Sequence, residues 1–301
     1  LKLLLERKAD GSYRYPGLKI VAITDGMASA YDPSGLNPDE LIRLIHRENL
    51  DGFSPAMLHG DGAHMVFSRP ITDAEGRECH RYAVRSGDRI EEKNISRDEF
   101  VTIFSGNIFV HYADIFLPCG GRPSTINVAN WKEYCPDGKN SSRAIIEGAN
   151  SFITPEARLL LQKQGILIVK DASANKCGVI TSSYEILSNL MLDEDEFTRV
   201  KPQLTPQIMD ILKVRAVNEA KWLFAQYRKT GKPMTELTEE LSNMIIAKTA
   251  EISDRLTRNP EKIDRQLILD HLPSLLAHDF ADRISRIPAE YRIAIAACEE
   301  A

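Results

Sequence analysis

The chain has 301 residues, 43% of them hydrophobic and 27% charged, with 38 Lys and Arg against 43 Asp and Glu. That is enough for one large domain, or a domain with an appendage, around a sizeable core. A net charge of −5 gives no electrostatic footprint for nucleic acid or an anionic membrane. No apolar run approaches the roughly 20 residues that cross a bilayer, so neither a nucleic acid nor a membrane is expected as partner.

The first residues, LKLLLERK, start in mid-pattern, like the tail of an amphipathic helix without an N-cap. With Leu1 rather than Met in first place, this suggests a piece of a longer protein. No signal-peptide pattern is visible. Five scattered cysteines, odd in number and without a CxxC pair, read as reduced thiols of a cytoplasmic protein. His59 and His64 lie close together in HGDGAH, but no third ligand is at hand, so the loop is read as solvated and no metal site is expected.

Leu18 to Thr24, LKIVAIT, is an apolar run ending in Asp25-Gly26 and suits a strand buried on both faces of a parallel sheet. NPDELIRLIHRE follows as a helix, with Asn37 as N-cap, Pro38 at the first position and Leu41, Leu44 and Ile45 as its buried stripe. Residues 51–95 read as an irregular surface excursion with one strand at RYAVR. SRDEFVTIF predicts a short helix, NIFVHYADIFLP a strand region, and Ile126 to Tyr134 a helix. Then come the strand in AIIEGAN, the Thr154-capped helix TPEARLLLQKQG, the strand ILIVKD and a helix from about Gly178 to Leu190.

The fold class is therefore α/β: a partial doubly wound, Rossmann-like parallel sheet, followed by an α-helical C-terminal region. The expected domains are 1–190, dinucleotide-binding and truncated at its N-terminus, and 191–301, helical. In the latter, PQIMDILKVRAVNEAKWLFAQYRKTG and MTELTEELSNMIIAKTAEISDRL predict two long helices, with shorter ones near Arg265 to Ala277 and Ala289 to Glu300.

Two strands end alike, in EGAN and in DASAN. Ligands of doubly wound sheets sit outside the carboxyl ends of the strands. Small residues there admit a flat ligand, and Asn150 and Asn175 offer the donor and acceptors that a carboxamide or ribose requires. Ordinary loop and cap chemistry is the competing explanation. Asp25 ends an apolar strand where dinucleotide folds place an acid on the ribose, and no Arg or Lys follows closely, which favours NAD over NADP. The competing reading is a turn cap. A GxGxxG turn before that strand is absent.

ITDGMASAYDPSGLN, DIFLPCGGRPSTINVANW and IIEGANSFITPEARLLLQKQGILIVKDASANKCGVITSSYE together resemble glutamate dehydrogenase, in particular its large-subunit, NAD-specific class. The resemblance covers Leu18 to about Leu190 and, more weakly, the tail. It implies NAD as cofactor and L-glutamate/2-oxoglutarate as substrate. Asp25 matches the ribose-binding acid, and Pro118, Cys119 and Gly120 match the segment passing the cofactor. Asn150 and Asn175 match the asparagines beside the nicotinamide ribose and carboxamide, and Ser182 matches a substrate-binding serine. Neighbouring Ser183 leaves that register open, and Cys177 stands where many relatives have Gly. The family's catalytic lysines and aspartate, in an N-terminal domain, have no match here. No catalytic residue is assigned, Lys170 and Lys176 are read as structural or solvated, and this chain alone is expected to be inactive. A homo-oligomeric full-length protein is expected. The alternatives are a leucine, phenylalanine or valine dehydrogenase, or a non-catalytic nucleotide-fold module serving regulation or assembly.

Overall fold

A computed structural model describes residues 1–301. The chain divides into two compact units, Leu1–Asp114 with Ala129–Ser142, and Ile115–Val128 with Arg143–Ala301. The first of these holds the antiparallel strands, and the second most of the parallel sheet together with all of the helical C-terminal region.

The first unit holds β1 (Ala22–Thr24), β2 (Ala28–Tyr31), α1 (Pro38–Leu44), β3 (His64–Thr72), β4 (Glu78–Ser86), β5 (Arg89–Ser96) and α2 (Arg97–Val110). Its five strands form one sheet in sequence order, every neighbouring pair antiparallel. This corrects two expectations. LKIVAIT is not a buried parallel strand: only Ala22–Thr24 pairs, half-exposed, in a hairpin with β2. Residues 51–95 are not an irregular excursion but supply three of the five strands. Their turns are tight. Ser86 faces Arg89, leaving the two-residue loop Gly87-Asp88 with Gly87 at φ +56°, and the β3–β4 turn carries Gly76 at φ +80°. The apolar face, including Ala28, Ala30, Met65 and Phe67, packs with Leu41, Phe53 and Leu58.

Two local readings hold here and two fail. Asn37 caps α1 by accepting from the N–H groups of Asp39 and Glu40, and Leu41 and Leu44 are buried, whereas the helix ends at Leu44 and Ile45, expected in its stripe, is the partly exposed C-cap. The Ser96 helix is longer than SRDEFVTIF suggests, because a reciprocal Ser96–Glu99 capping box starts it and nothing stops it before His111. It therefore absorbs Asn107 to Val110, the start of the strand region that NIFVHYADIFLP suggests. Leu1–Leu5 form a turn closed by Leu5 N–H onto the Leu1 carbonyl, not a helix tail.

The second unit is α/β. Its sheet runs in the order β6 (Ala113–Phe116), β7 (Ser142–Ile146), β8 (Leu167–Val169), with β7 and β8 parallel in the register Ile145 to Ile168. The end residues of β6 and β7 fall on the first unit's side of the division. α3 (Pro155–Lys163) connects β7 to β8, capped by Thr154 with Pro155 at its first position. Between Ile126 and Tyr134 only a turn of 3-10 helix forms, at Trp131–Tyr134, so the helix expected there is absent.

α4 (Asp171–Ala174) and α5 (Cys177–Met191) follow β8, and then the helical region begins with α6 (Glu194–Thr230) and α7 (Met234–Arg258). α6 starts earlier than its apolar periodicity, because Asp193 and Glu196 form a capping box and Glu196 pairs with Arg283. It ends at Gly231, φ +69°. α8 (Arg265–His271), α9 (Ser274–Asp279) and α10 (Ala289–Glu300) complete the unit. Tyr184, Met191, Leu204, Leu212, Leu276 and Ile287 lie in the core that joins α5 and α6 to the last helices. No helix is long and apolar enough to cross a membrane.

Candidate cofactor site

The candidate site of the second unit stands at the carboxyl ends of β7 and β8. Parallel strands bring their carboxyl ends to one edge, so the loops EGAN and DASAN must be neighbours. A hydrogen bond makes the junction: Ser151 N–H donates to Asp171 Oδ2 at 2.9 Å. Ser151 presents that N–H from the left-handed region, at φ +54°.

A third segment laces onto the same edge. Ala149 N–H donates to the Pro118 carbonyl at 2.6 Å, Ser124 N–H to that of Ser151 at 2.8 Å, and Ile126 N–H to that of Phe152 at 3.1 Å. Thr154 N–H returns a bond to the Ile126 carbonyl at 2.9 Å. Gly148 sits under Cys119, where an added Cβ would stand 3.2 Å from the sulfur. Gly121, at φ +116°, lies so near Phe152 that a Cβ would meet the ring at 2.8 Å. The glycines of EGAN and CGGR thus permit close packing between the two loops. Gly120, by contrast, faces open space.

Beneath the loops is a buried ionic cluster. Glu147, fully buried at the end of β7, accepts from Arg158 Nε at 2.8 Å and Nη2 at 3.1 Å. Burial pushes its carboxyl above the usual carboxylate range, while Arg158 and the Ile153 N–H pull it back. Arg158, one turn into α3 and only 8% exposed, also donates to the Ile153 carbonyl at 3.2 Å and stands 4.0 Å from Asp171 Oδ1.

Six of the seven residues singled out from the sequence belong to this unit. Pro118 is buried against the EGAN loop, with Cys119 and Gly120 exposed beside it. Asn150 is exposed and Asn175 partly exposed. Their side-chain amides are not used as caps, and neither is taken up by another group of the chain. Ser182 lies exposed on α5, its hydroxyl donating to the Gly178 carbonyl at 3.1 Å. Thr181 and Ser183 bond one turn back in the same way, so the backbone treats all three hydroxyls alike. Lys170 and Lys176 pair with Glu239 at 2.9 Å and Glu219 at 2.8 Å, as structural lysines do.

Asp25 belongs to the other unit, and its setting differs from the one expected. It turns the β1–β2 hairpin: Oδ1 accepts from the N–H groups of Met27 at 2.7 Å and Ala28 at 3.0 Å, and Oδ2 from Leu50 N–H at 2.8 Å. The strand before it is antiparallel to its partner, so the parallel-edge argument for a ribose contact has no footing there. His64 is likewise not simply solvated. Its ring packs among Tyr31, Tyr82 and His111.

The cluster of Glu147, Arg158 and Asp171 was missed by sequence reasoning. Its signal was present: an arginine inside the stripe of α3 between Ala157 and Leu161, both fully buried. A charge on an apolar stripe requires a buried partner.

A parallel α/β edge with an open polar rim is where doubly wound, Rossmann-like folds bind their ligands. Comparison with known proteins narrows the class. The model of the Glutamate/Leucine/Phenylalanine/Valine dehydrogenase family matches residues 12–232. The chain is 31% identical over 290 residues to the NAD-specific glutamate dehydrogenase of Neurospora crassa, covering 91% of this chain and 26% of that protein. It is 32% identical over 292 residues to glutamate dehydrogenase 2 of Dictyostelium discoideum, covering 92% and 27%. A glutamate dehydrogenase of Thermotoga maritima is 25% identical over 203 residues, 66% of this chain and 37% of that protein. The chain belongs to the Glutamate/Leucine/Phenylalanine/Valine dehydrogenase family. It spans about a quarter of the length of the first two of these relatives.

Proposed function

We propose that this chain is the cofactor-binding and C-terminal part of an NAD-dependent glutamate dehydrogenase, whose reaction is L-glutamate + NAD + H2O giving 2-oxoglutarate, ammonium and NADH. The observation that carries the reading is the pair of unengaged amides, Asn150 and Asn175, on two loops joined at one edge of a parallel sheet. NAD supplies the hydride acceptor when bound. Asn150 and Asn175 bind and orient it by donating and accepting at its ribose and carboxamide. Pro118, Cys119 and Gly120 form the adjoining wall, where the open backbone at Gly120 admits a flat group. Ser182, on α5, is the candidate contact for the amino-acid substrate. The ribose role of Asp25 rests on its match to the family's acid alone.

Glutamate is favoured over leucine, phenylalanine or valine because these three relatives are named glutamate dehydrogenases. The full-length protein is read as a cytoplasmic homo-oligomer. The test is NADH fluorescence titration and glutamate-dependent NAD reduction by the full-length protein and its Asn150→Ala and Asn175→Ala variants. Each variant is expected to lose about 1–3 kcal/mol of cofactor affinity or transition-state stabilisation without loss of folding. The double variant should lose less than the sum, since both amides act on one ligand. Wild-type binding and turnover in both single variants would overturn the reading.

A further inference from the structure

We propose that Arg158 is a positioning residue: with Glu147 and Asp171 it fixes the loops that carry Asn150 and Asn175 in register with one another. The inference rests on the cofactor reading above for its purpose, though not for its geometry. The path between the amides is short. From Asn150 the chain goes one residue to Ser151, whose N–H bonds Asp171. The Asp171 carbonyl in turn accepts the Asn175 N–H at 2.9 Å. Asp171 is thus the link between the loops, and its Oδ1 accepts from Ala172 N–H at 2.8 Å while facing Arg158 at 4.0 Å.

Arg158 holds the other end of the EGAN loop. Its fork takes both oxygens of Glu147, where the loop leaves β7, and the carbonyl of Ile153, where the loop enters α3. A planar guanidinium accepts little deviation in such an arrangement, which a flexible ammonium would tolerate. Start and end of residues 147–153 are therefore anchored to Arg158, and the middle to Asp171, which belongs to DASAN and faces Arg158 at 4.0 Å. Stability alone does not call for such a cluster. A carboxylate and a guanidinium out of water are costly, and a buried pair replaced by apolar groups of similar volume is often no less stable.

That last point supplies the test. In the full-length protein, Arg158→Met and Glu147→Leu each leave a buried charge unpaired and should lower the unfolding temperature. The double variant removes both charges and should recover most of that loss. If the cluster positions the loops, KM for NAD stays raised about tenfold or more in the double variant although stability returns. If the cluster only holds the fold, KM returns with stability, and the proposal is overturned.

Amide exchange at Ser151 separates this from failure of the functional reading. That N–H should exchange about tenfold or more faster in the double variant whatever the protein catalyses. Unchanged exchange would refute the geometry. A wild-type protein that neither binds NADH nor reduces NAD would refute the function while leaving the exchange result standing.

Discussion

Asp25-Gly26 and Glu147-Gly148 look alike in the sequence: each is an acid and a glycine at the end of an apolar run. In the structure they have opposite fates. After Asp25 the chain turns back within three residues and pairs antiparallel, and the carboxylate is filled by backbone N–H groups of its own turn and of Leu50. After Glu147 the chain laces along residues 118–126, passes through α3 and returns parallel, and the carboxylate meets Arg158 in the interior. What an acid at a strand end does is decided by where the next strand pairs. That pairing is not encoded in the residues next to the acid.

The largest expected effect lies on the buried side of this comparison. Glu147→Leu strands the Arg158 guanidinium without its main partner and should cost about 3–5 kcal/mol of folding stability, read by denaturant unfolding. A loss below about 1 kcal/mol would mean that Arg158 finds water or another carboxylate at no cost, and the contrast between the two acids would collapse.

The two units were also unequally legible. β7, α3 and β8 could be read because each signal is local: β-branched runs, a Thr154 cap with Pro155 behind it, and Gly165 at φ +85° closing the helix. The long helices of the tail were read for the same reason, their periodicity being sustained over many turns. The antiparallel sheet was not read, although its turns announced it. Gly87-Asp88 and the Gly76 turn are hairpin signals. The strand that follows them, β5, RIEEKNIS, is almost wholly exposed and reads as loop by polarity. An edge strand of that kind is held by ladder bonds to β4, and not by burial. The site followed the same division. Asn150 and Asn175 stand out in the sequence by their place after apolar runs, whereas the pairing of Arg158 does not, because its partners stand 11 and 13 residues away along the chain.

A smaller effect is expected in the first unit, on its aromatic cluster. His111 stacks on Tyr31 with centroids 3.5 Å apart and planes 8° from parallel, and lies 5.4 Å from His64. Burial, and then the neighbouring His64, lower the His111 imidazole to about 4, and burial lowers His64 as well. An unfolded histidine takes up its proton near pH 6.5, so the folded state binds fewer protons in between. The contribution of this neutral ring is therefore fully present above about pH 6.5 and is lost as pH falls toward 4. His111→Phe keeps the ring and removes the titration. Between pH 7 and 5 the variant should lose roughly 0.5–1 kcal/mol less than wild type, the half-exposed ring being partly screened by solvent, measured by urea unfolding at each pH. Parallel pH profiles for the two proteins would show that the stack tolerates a charge.

The smallest effect is expected at Asp25. Asp25→Asn keeps an oxygen for the N–H groups of Met27 and Ala28 but places an NH2 where Leu50 N–H now donates. One charge-assisted bond is lost in a part-buried turn, and a stability cost of about 1 kcal/mol follows. A carboxylate that already accepts three backbone N–H groups, two from its own turn and one from Leu50, has little left to give a ribose. The same variant should therefore leave the ratio of kcat/KM for NAD and NADP within about twofold of wild type. A larger fall in that ratio, with stability unchanged, would place Asp25 at the cofactor after all. It would also mean that the hairpin which now fills its carboxylate gives way when NAD is bound.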